Sequence, residues 1–324
     1  MKPKKQHYVP QFLLRNFATG RKNKAKIWVL DKRCGTVHPA SIKDVAHENF
    51  FYEYHGDAGH LEYENLMQKI DSIGGRIIGD ITSKGSLPDS AEDRGWLSYY
   101  IAAQMIRTPT TRGDMENFRQ IVINAWGKDI KAHPDDPKTI GEYGPEDAKA
   151  SSLQLFKDVP AFAKLLQEKA WFLCEAPPSV PYIVSDNPVV RHNMIDRGPR
   201  GNLGLKNDGI EVYMPLSPKF SIHATCKKLA AAVLMTPELS STFTRALVEK
   251  KPIQYKPENI DFANSLQVIW AERFIFAKEQ WHLDMPLDML HTNPELKDGP
   301  GVRQKPEMIS PHFKDGPVKR GSKS

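Results

Sequence analysis

The sequence lacks the features of several large classes of protein. Only three cysteines occur in 324 residues, and none forms a C-x-x-C pair, so a disulfide framework and a structural zinc site both lose support. No run of apolar residues approaches the roughly 18 that a membrane-spanning helix needs. The basic opening residues are not followed by the apolar region of a secretory signal. Together these absences predict a soluble cytoplasmic protein with no membrane association.

Familiar catalytic signatures are absent as well. The chain contains no G-x-x-x-x-G-K-[ST], G-x-G-x-x-G, G-x-S-x-G or H-E-x-x-H sequence. P-loop, Rossmann, α/β-hydrolase and zincin chemistry are therefore not indicated. His55 and His60 flank an acid in H-G-D-A-G-H, but the flexibility of the glycines makes this a weak metal site.

Charge is present in abundance and is unevenly distributed. The net charge is +6, of which residues 1–33 contribute +9, residues 297–324 contribute +4 and the residues between them −7. A basic arm on an acidic body favours contact with phosphate groups, in a nucleic acid or in another phosphate-bearing ligand. A solvated arm that only aids solubility would give the same pattern.

Hydrophobic periodicity predicts an α+β protein with small β elements at both ends around a mainly helical middle. Hairpins are predicted at 26–38 and 210–225, and a short strand at 49–54. Helices are predicted at 90–108, 112–126, 146–173 with a break near Pro160, and 258–271.

Domain organisation follows from length and composition. We expect residues 1–283 to form a single α+β domain with a basic N-terminal arm. Residues 284–324 are rich in proline, glycine and charge, so they are expected to form a flexible basic tail that buries too little apolar surface to order itself.

The first candidate site residues lie in the opening segment H-Y-V-P-Q. His7 is a group that can titrate near neutrality, ligate a metal or act as a general base. The proline that follows it restricts the backbone and so helps to aim the side chain. Gln11 lies four residues along and is a candidate for substrate binding. The alternative is that His7 and Tyr8 only pack the first helix against the core.

A second candidate segment is S-D-N-P, at the end of the short strand predicted at 182–185. An acid just past a buried strand lies at an opening of the sheet, where bases and metal ligands are common. Asp186 is therefore a candidate catalytic residue, and Asn187 a candidate for substrate binding. The same residues suit an Asx-turn before Pro188, in which the side chains satisfy backbone N–H groups.

A third segment, Q-M-I-R-T-P-T-T-R, closes the helix predicted at 90–108. Arg107 and Arg112 could clamp a phosphate or carboxylate through paired hydrogen bonds. The favoured interpretation of Arg107 is nevertheless structural, as a partner for the helix C-terminus or for a buried acid.

These segments together resemble a microbial family of unknown function numbered 4238. The opening Q-H-Y-V-P-Q-F-L-L-R-N-F, then Q-x-x-R-T-P, S-D-N-P-V and P-L-S-P, carry the resemblance over residues 5–280. The resemblance implies no established reaction and no catalytic residue set. Its members often look like accessory genes of bacteria and phages, which by association favours nucleic-acid or defence-related work.

Two functions are consistent with this sequence. In the first, the protein is a phosphate-ester hydrolase, most plausibly a nuclease acting in microbial defence or on mobile elements. His7 would be a base or metal ligand, Asp186 a ligand of a divalent metal or an orienting acid, and Arg107 would offset phosphate charge. In the second, it is a non-catalytic protein that binds nucleic acid or an acidic partner. Convergence of His7, Asp186 and Arg107 in one pocket would favour the enzyme.

Overall fold

The computed structural model describes residues 4–20, 24–56, 59–195 and 203–300. The chain folds as an α+β protein, as the periodicity predicts. Its strands are β1 (Lys5–His7), β2 (Lys26–Asp31), β3 (Thr36–Ser41), β4 (His47–Asn49), β5 (Glu53–Gly56), β6 (Gly59–Glu62), β7 (Ala170–Glu175), β8 (Val184–Ser185), β9 (Val190–Asn193), β10 (Ile210–Pro215), β11 (Phe220–Thr225), β12 (Ile253–Gln254) and β13 (Phe274–Ala277).

Helices fill the middle of the chain and also occur in its C-terminal part. They are α1 (Gln11–Asn16), α2 (Glu64–Lys84), α3 (Ala91–Ile106), α4 (Pro109–Trp126), α5 (Pro145–Gln154), α6 (Val159–Gln167), α7 (Lys227–Met235), α8 (Pro237–Glu249), α9 (Pro257–Trp270) and α10 (Asp284–Thr292). Within the described ranges, none of these helices is long and apolar enough to cross a membrane.

Two larger sheets organise the strands. One has the order β12-β7-β11-β10-β9, and the other has the order β3-β2-β13-β8. Both predicted hairpins are confirmed: β2 pairs antiparallel with β3, and β10 pairs antiparallel with β11. In the second sheet β13 pairs with both β2 and β8. This pairing places the turn before β13 beside the S-D-N-P segment, which begins at Ser185, the last residue of β8.

The helical middle differs from the prediction at one place. The predicted start of α3 is confirmed, since the Ser90 side chain accepts a hydrogen bond from the Asp93 amide at 2.9 Å. The segment predicted as helical at 146–173 with a break near Pro160 forms two helices, α5 and α6, and its last residues belong instead to strand β7. Pro160 lies in the first turn of α6. The N–H groups of a first turn have no acceptor within the helix, so the missing N–H of proline costs nothing there and Pro160 begins a helix.

From Lys5 onward, the N-terminal segment is part of the folded structure. Strand β1 pairs with β4, and α1 buries Leu13 and Leu14 completely. The basic residues 1–3 and 21–23 of the predicted arm lie outside the described residues. The strand predicted at 49–54 is split between β4 and β5, because Phe50 adopts a left-handed backbone conformation with φ of 53°.

The folded part of the chain extends beyond the predicted boundary at 283. Residues 284–292 form α10, and Leu283 and Leu290 are buried in a cluster with Ile275 of β13. Composition misled the prediction here, since two leucines spaced for one helix face are enough to dock a short helix on a sheet. Residues 301–324 of the predicted tail lie outside the described residues.

Docking of α10 leads to a stability prediction. Replacing Leu290, which is 1% exposed, by alanine should lower the free energy of unfolding by about 2–5 kcal/mol, since it removes buried apolar atoms and leaves a cavity. The exposed Asp288 on the same helix provides the matched control, and its replacement by alanine should change stability by less than about 0.5 kcal/mol. Urea denaturation measures both. Equal, small effects would show that α10 does not stabilise the core.

Candidate functional site

His7 ends β1 in a partly buried environment. Its ring contacts that of His47 edge-on, with the ring centroids 5.3 Å apart. Burial, and then the neighbouring His47, lower the pKa of His7 to about 4, so the imidazole is neutral at pH 7. Its Nε2 atom is buried and, among the described residues, has no hydrogen-bond partner. Gln11, in the first turn of α1, accepts a long 3.5 Å hydrogen bond from Arg15.

Arg107 lies at the centre of a buried polar network that holds the N-terminal segment. Its Nε atom donates to Gln104 Oε1 at 2.7 Å, and Gln104 Nε2 donates to the Tyr8 carbonyl at 3.0 Å. Its Nη1 atom lies 2.6 Å from Asp71 Oδ1. The guanidinium also lies over the Tyr100 ring, 5.4 Å from the centroid. These contacts match the structural interpretation of Arg107 weighed above.

The charge state of this pair is set by burial and by mutual attraction. Burial opposes the charged form of the Arg107 guanidinium, but Asp71 together with Tyr52 and Tyr100 outweighs burial and raises the pKa of Arg107. Burial also raises the pKa of Asp71, and Arg107 offsets this only in part. Since arginine keeps its proton in proteins, the guanidinium is the fixed charge and Asp71 is its counter-ion.

Asp186 anchors the turn that precedes β13. Its Oδ1 accepts from the Glu272 amide, and its Oδ2 from the Arg273 and Phe274 amides, each at 2.8 Å. Burial raises the pKa of Asp186, and the three amide donors and the charge of Lys32 oppose that rise. Both carboxylate oxygens are therefore already used to hold the backbone.

His7, Asp186 and Arg107 each contact different partners. Among the described residues, no hydrogen bond or ion pair joins any two of them. A link runs through Tyr8 instead: burial, followed by the negative charge of Asp186, raises the pKa of Tyr8. Tyr8 directly follows His7, and its carbonyl accepts the hydrogen bond from Gln104 described above.

The residues that follow Arg107 and Asp186 in the sequence line a pocket of about 270 Å³. One wall comes from the end of α3 and the first turns of α4, and the other from the segment that joins β8 to β9. Asn187 belongs to this wall, and its Nδ2 atom donates to the Trp270 carbonyl at 3.0 Å. The pocket, hereafter the Asp114 pocket, has the polar lining Thr108, Thr110, Thr111, Asp114, Asn187 and Arg191.

Asp114 and Arg191 are the charged groups of the Asp114 pocket. The Asp114 residue is exposed to solvent, but the protein around its carboxyl still limits hydration and raises its pKa to about 6, with the charge of Arg191 opposing the rise. Burial lowers the pKa of Arg191 in turn, and Asp114 opposes that shift. The Arg191 Nη1 atom donates to the Leu203 carbonyl at 3.0 Å, which fixes the guanidinium against one wall.

Hydroxyl groups complete the lining. The Thr108 and Thr111 Oγ1 atoms lie 3.5 Å apart, and Thr111 Oγ1 donates to the Met105 carbonyl at 3.3 Å. The Thr110 Oγ1 atom is buried and has no hydrogen-bond partner among the described residues. Leaving a buried hydroxyl unpaired is costly.

Arg112, the remaining sequence candidate, faces away from this lining. Its Nη1 atom donates to Glu48 Oε2 at 3.1 Å, and its guanidinium lies 4.9 Å from the centroid of the Phe51 ring. It joins α4 to β4. In the described part of the chain, no three His, Cys, Asp or Glu side chains are grouped so that they could hold a metal ion.

Two residues of the pocket, Asp114 and Arg191, were missed by the sequence reasoning. Asp114 lies two residues after Arg112, and Arg191 five residues after Asp186. Helical spacing could have indicated Asp114, since it follows Thr110 and Thr111 by one turn. Nothing in the sequence singles out Arg191, because only the pairing of β9 with β10 decides which face it occupies.

Comparison with known proteins locates these segments within a family. Residues 5–280 match the family described as "Protein of unknown function (DUF4238)". The chain belongs to this family. The match includes the opening segment, both walls of the Asp114 pocket and the two larger sheets. No curated protein and no solved structure matches the chain.

Proposed function

We propose that this DUF4238 protein hydrolyses phosphate esters in the Asp114 pocket. The observation that carries the proposal is that a carboxyl and a guanidinium line one pocket built from the R-T-P-T-T and S-D-N-P-V-V-R segments. A pocket with few, convergent polar groups is the usual setting of an active site. A nuclease, which cleaves phosphodiesters, is the form of this activity that the sequence favours.

Each group has a role that its chemistry supports. Asp114, with a pKa of about 6, is deprotonated at neutral pH and is basic enough to accept a proton from an attacking water. Arg191 carries the positive charge that stabilises phosphoryl oxygens as charge develops on them. Thr110, Thr111 and Asn187 provide hydroxyl and amide groups that orient the ester. A divalent metal is the candidate cofactor, and its contribution is tested by adding and removing it.

The experiment is a hydrolysis assay with single-stranded and double-stranded DNA and RNA, and with a generic phosphodiester, each with and without Mg²⁺ or Mn²⁺. Hydrolysis of at least one ester supports the proposal. Absence of hydrolysis on every ester under every metal condition would overturn it.

The pH profile identifies the base. If Asp114 accepts the proton, kcat/KM should fall tenfold per unit of pH below about 6, because the carboxyl becomes protonated there. If His7 were the base, the acidic limb would lie near 4, where that histidine titrates. A limb near 4, or no limb between pH 4 and 8, would count against Asp114.

A second candidate function is binding without catalysis. It is favoured by the observation that Arg107 and Asp186 make structural contacts, to Asp71 and to three backbone amides. On that account the same pocket holds a phosphate-bearing partner but does not cleave it. Tight binding together with intact ester after long incubation would select this function.

A further inference from the structure

A second, larger cavity of about 790 Å³ lies beside the Asp114 pocket. Leu205 and Phe162 line both spaces, so the two cavities are adjacent. The walls of the larger cavity come from α6 and the residues just after it, from residues 205–208, and from the start of α7. It is broad and open to solvent. We call it the lysine cavity after the five lysines that line it: Lys164, Lys169, Lys206, Lys227 and Lys228.

The charge of the lysine cavity is strongly positive. Against the five lysines stand two acids, Glu168 and Asp208, and Asp208 is paired with Lys228 at 2.7 Å. This cavity belongs to the part of the chain whose net charge is −7. The concentration of cations here is therefore not a reflection of a basic body. Repulsion among these lysines is electrostatically unfavourable, and an anionic ligand would relieve it.

The first turn of α7 adds to this unfavourable arrangement. The positive end of a helix dipole normally attracts acids, yet this first turn holds Lys227 and Lys228 and no acid. The Cys226 side chain caps the Leu229 amide at 3.4 Å. Two lysines at a helix N-terminus cost stability in an isolated chain. Together they are suited to hold phosphate groups, which helix N-termini and lysines both bind.

Lys169 is the buried, fixed lysine of the cavity. This residue is 9% exposed, and its Nζ atom donates to the Leu205 carbonyl at 2.7 Å. Burial lowers the pKa of Lys169. The lysine thus fastens residue 205, which both spaces share, to the end of α6. Lys164, Lys206 and Lys227 remain exposed around it and can follow a flexible anion.

From these features we infer that the lysine cavity binds the phosphate backbone of single-stranded nucleic acid and directs one nucleotide into the Asp114 pocket. The inference deepens the proposed function, on whose site it rests. The Asp114 pocket, at about 270 Å³, is too small for a duplex, so a nucleotide would have to enter it unstacked. Trp270 in its wall supplies an aromatic surface, and a basic groove with aromatic side chains is the usual arrangement for single strands.

The test measures binding separately from cleavage. The full-length protein with Asp114→Asn is titrated into labelled single-stranded DNA or RNA of about 10 nucleotides, into a duplex of the same sequence, and into a nucleoside triphosphate. Fluorescence anisotropy is read at several salt concentrations. We expect single strands to bind at least tenfold more tightly than the duplex or the triphosphate.

Substitution in the cavity provides the decisive comparison. Lys206→Gln and Lys227→Gln should each weaken binding of the single strand by about tenfold. The double substitution should reduce the slope of log affinity against log salt by about 1.4. The matched control is Lys278→Gln, an exposed lysine outside the cavity, which should leave affinity unchanged.

Two results would overturn the inference. One is that the duplex or the triphosphate binds as tightly as the single strand, and the other is that the cavity variants behave like Lys278→Gln. Circular dichroism of each variant shows whether it is folded, and these exposed side chains should leave the fold intact. If binding follows the prediction but the unsubstituted protein hydrolyses no ester, the proposed hydrolase function fails while the binding site stands.

Discussion

Replacing Asp114 by asparagine should lower kcat/KM for ester hydrolysis by about 10²- to 10⁴-fold, the range that general acid–base catalysis contributes. The substitution keeps the shape of the side chain and its place in the pocket but removes the group that accepts the proton. KM should change much less than kcat, because a base acts mainly in the transition state. Steady-state kinetics on the best ester from the substrate panel measure both quantities.

The matched control is Asp129→Asn, which neutralises an exposed carboxylate shortly after α4 and should leave kcat within about twofold of the original value. Equal rates for the two variants would remove Asp114 from the mechanism. A large rise in KM with kcat unchanged would make it a binding group rather than a base.

Stability provides an independent check on the Asp114 environment. The pKa of Asp114 is raised from 3.8 to about 6 in the folded protein, so the folded state binds this proton more tightly than the unfolded state does. The resulting stabilisation is complete below pH 4 and is lost as the pH rises through about 6. Relative to Asp114→Asn, the original protein should therefore be less stable at pH 8 than at pH 4. A difference that does not depend on pH would contradict the raised pKa.

The hairpins and the start of α3 could be predicted from the sequence because local signals decide them. Alternating apolar residues and a turn specify β2–β3 and β10–β11, and a serine with an acid three residues later specifies the N-terminus of α3. The resemblance to the family was also readable, since four short segments carry it, and the match over residues 5–280 confirms it.

The pocket could not be predicted, because contacts distant in sequence create it. Asp114 and Arg191 are 77 positions apart in the numbering, and each looks like an ordinary surface charge in its own segment. Of the chemically conspicuous choices, Asp186 has a structural role, since it anchors the backbone before β13 through three amide hydrogen bonds. A motif of polar residues can mark an anchor as readily as a catalytic group.

Replacing Arg107 by methionine should lower the free energy of unfolding by at most about 3–5 kcal/mol, the usual cost of removing one partner of a buried ion pair, because the Asp71 side chain is 26% exposed. The Arg107 side chain is fully buried, and the substitution leaves Asp71 without its counter-ion and Gln104 Oε1 without its donor. The matched control is Arg76→Met on α2, which breaks an exposed ion pair with Asp93 and should cost no more than about 1 kcal/mol. Urea denaturation measures the free energy of unfolding of both variants. Equal losses would show that burial does not make the Arg107 pair more stabilising than the exposed pair.

The double variant Arg107→Met with Asp71→Leu separates structure from catalysis. Because it removes both charges, it should recover part of the stability that Arg107→Met loses, giving a coupling energy of about 0.5–3 kcal/mol between the two sites. If Arg107 only locks Gln104 and the Tyr8 carbonyl in place, the rate per folded molecule should remain within about tenfold of the original. A stable double variant that has lost hydrolysis as completely as Asp114→Asn would instead show that Arg107 acts on the reacting phosphate. That is the role, offsetting phosphate charge, that the sequence suggested for an enzyme.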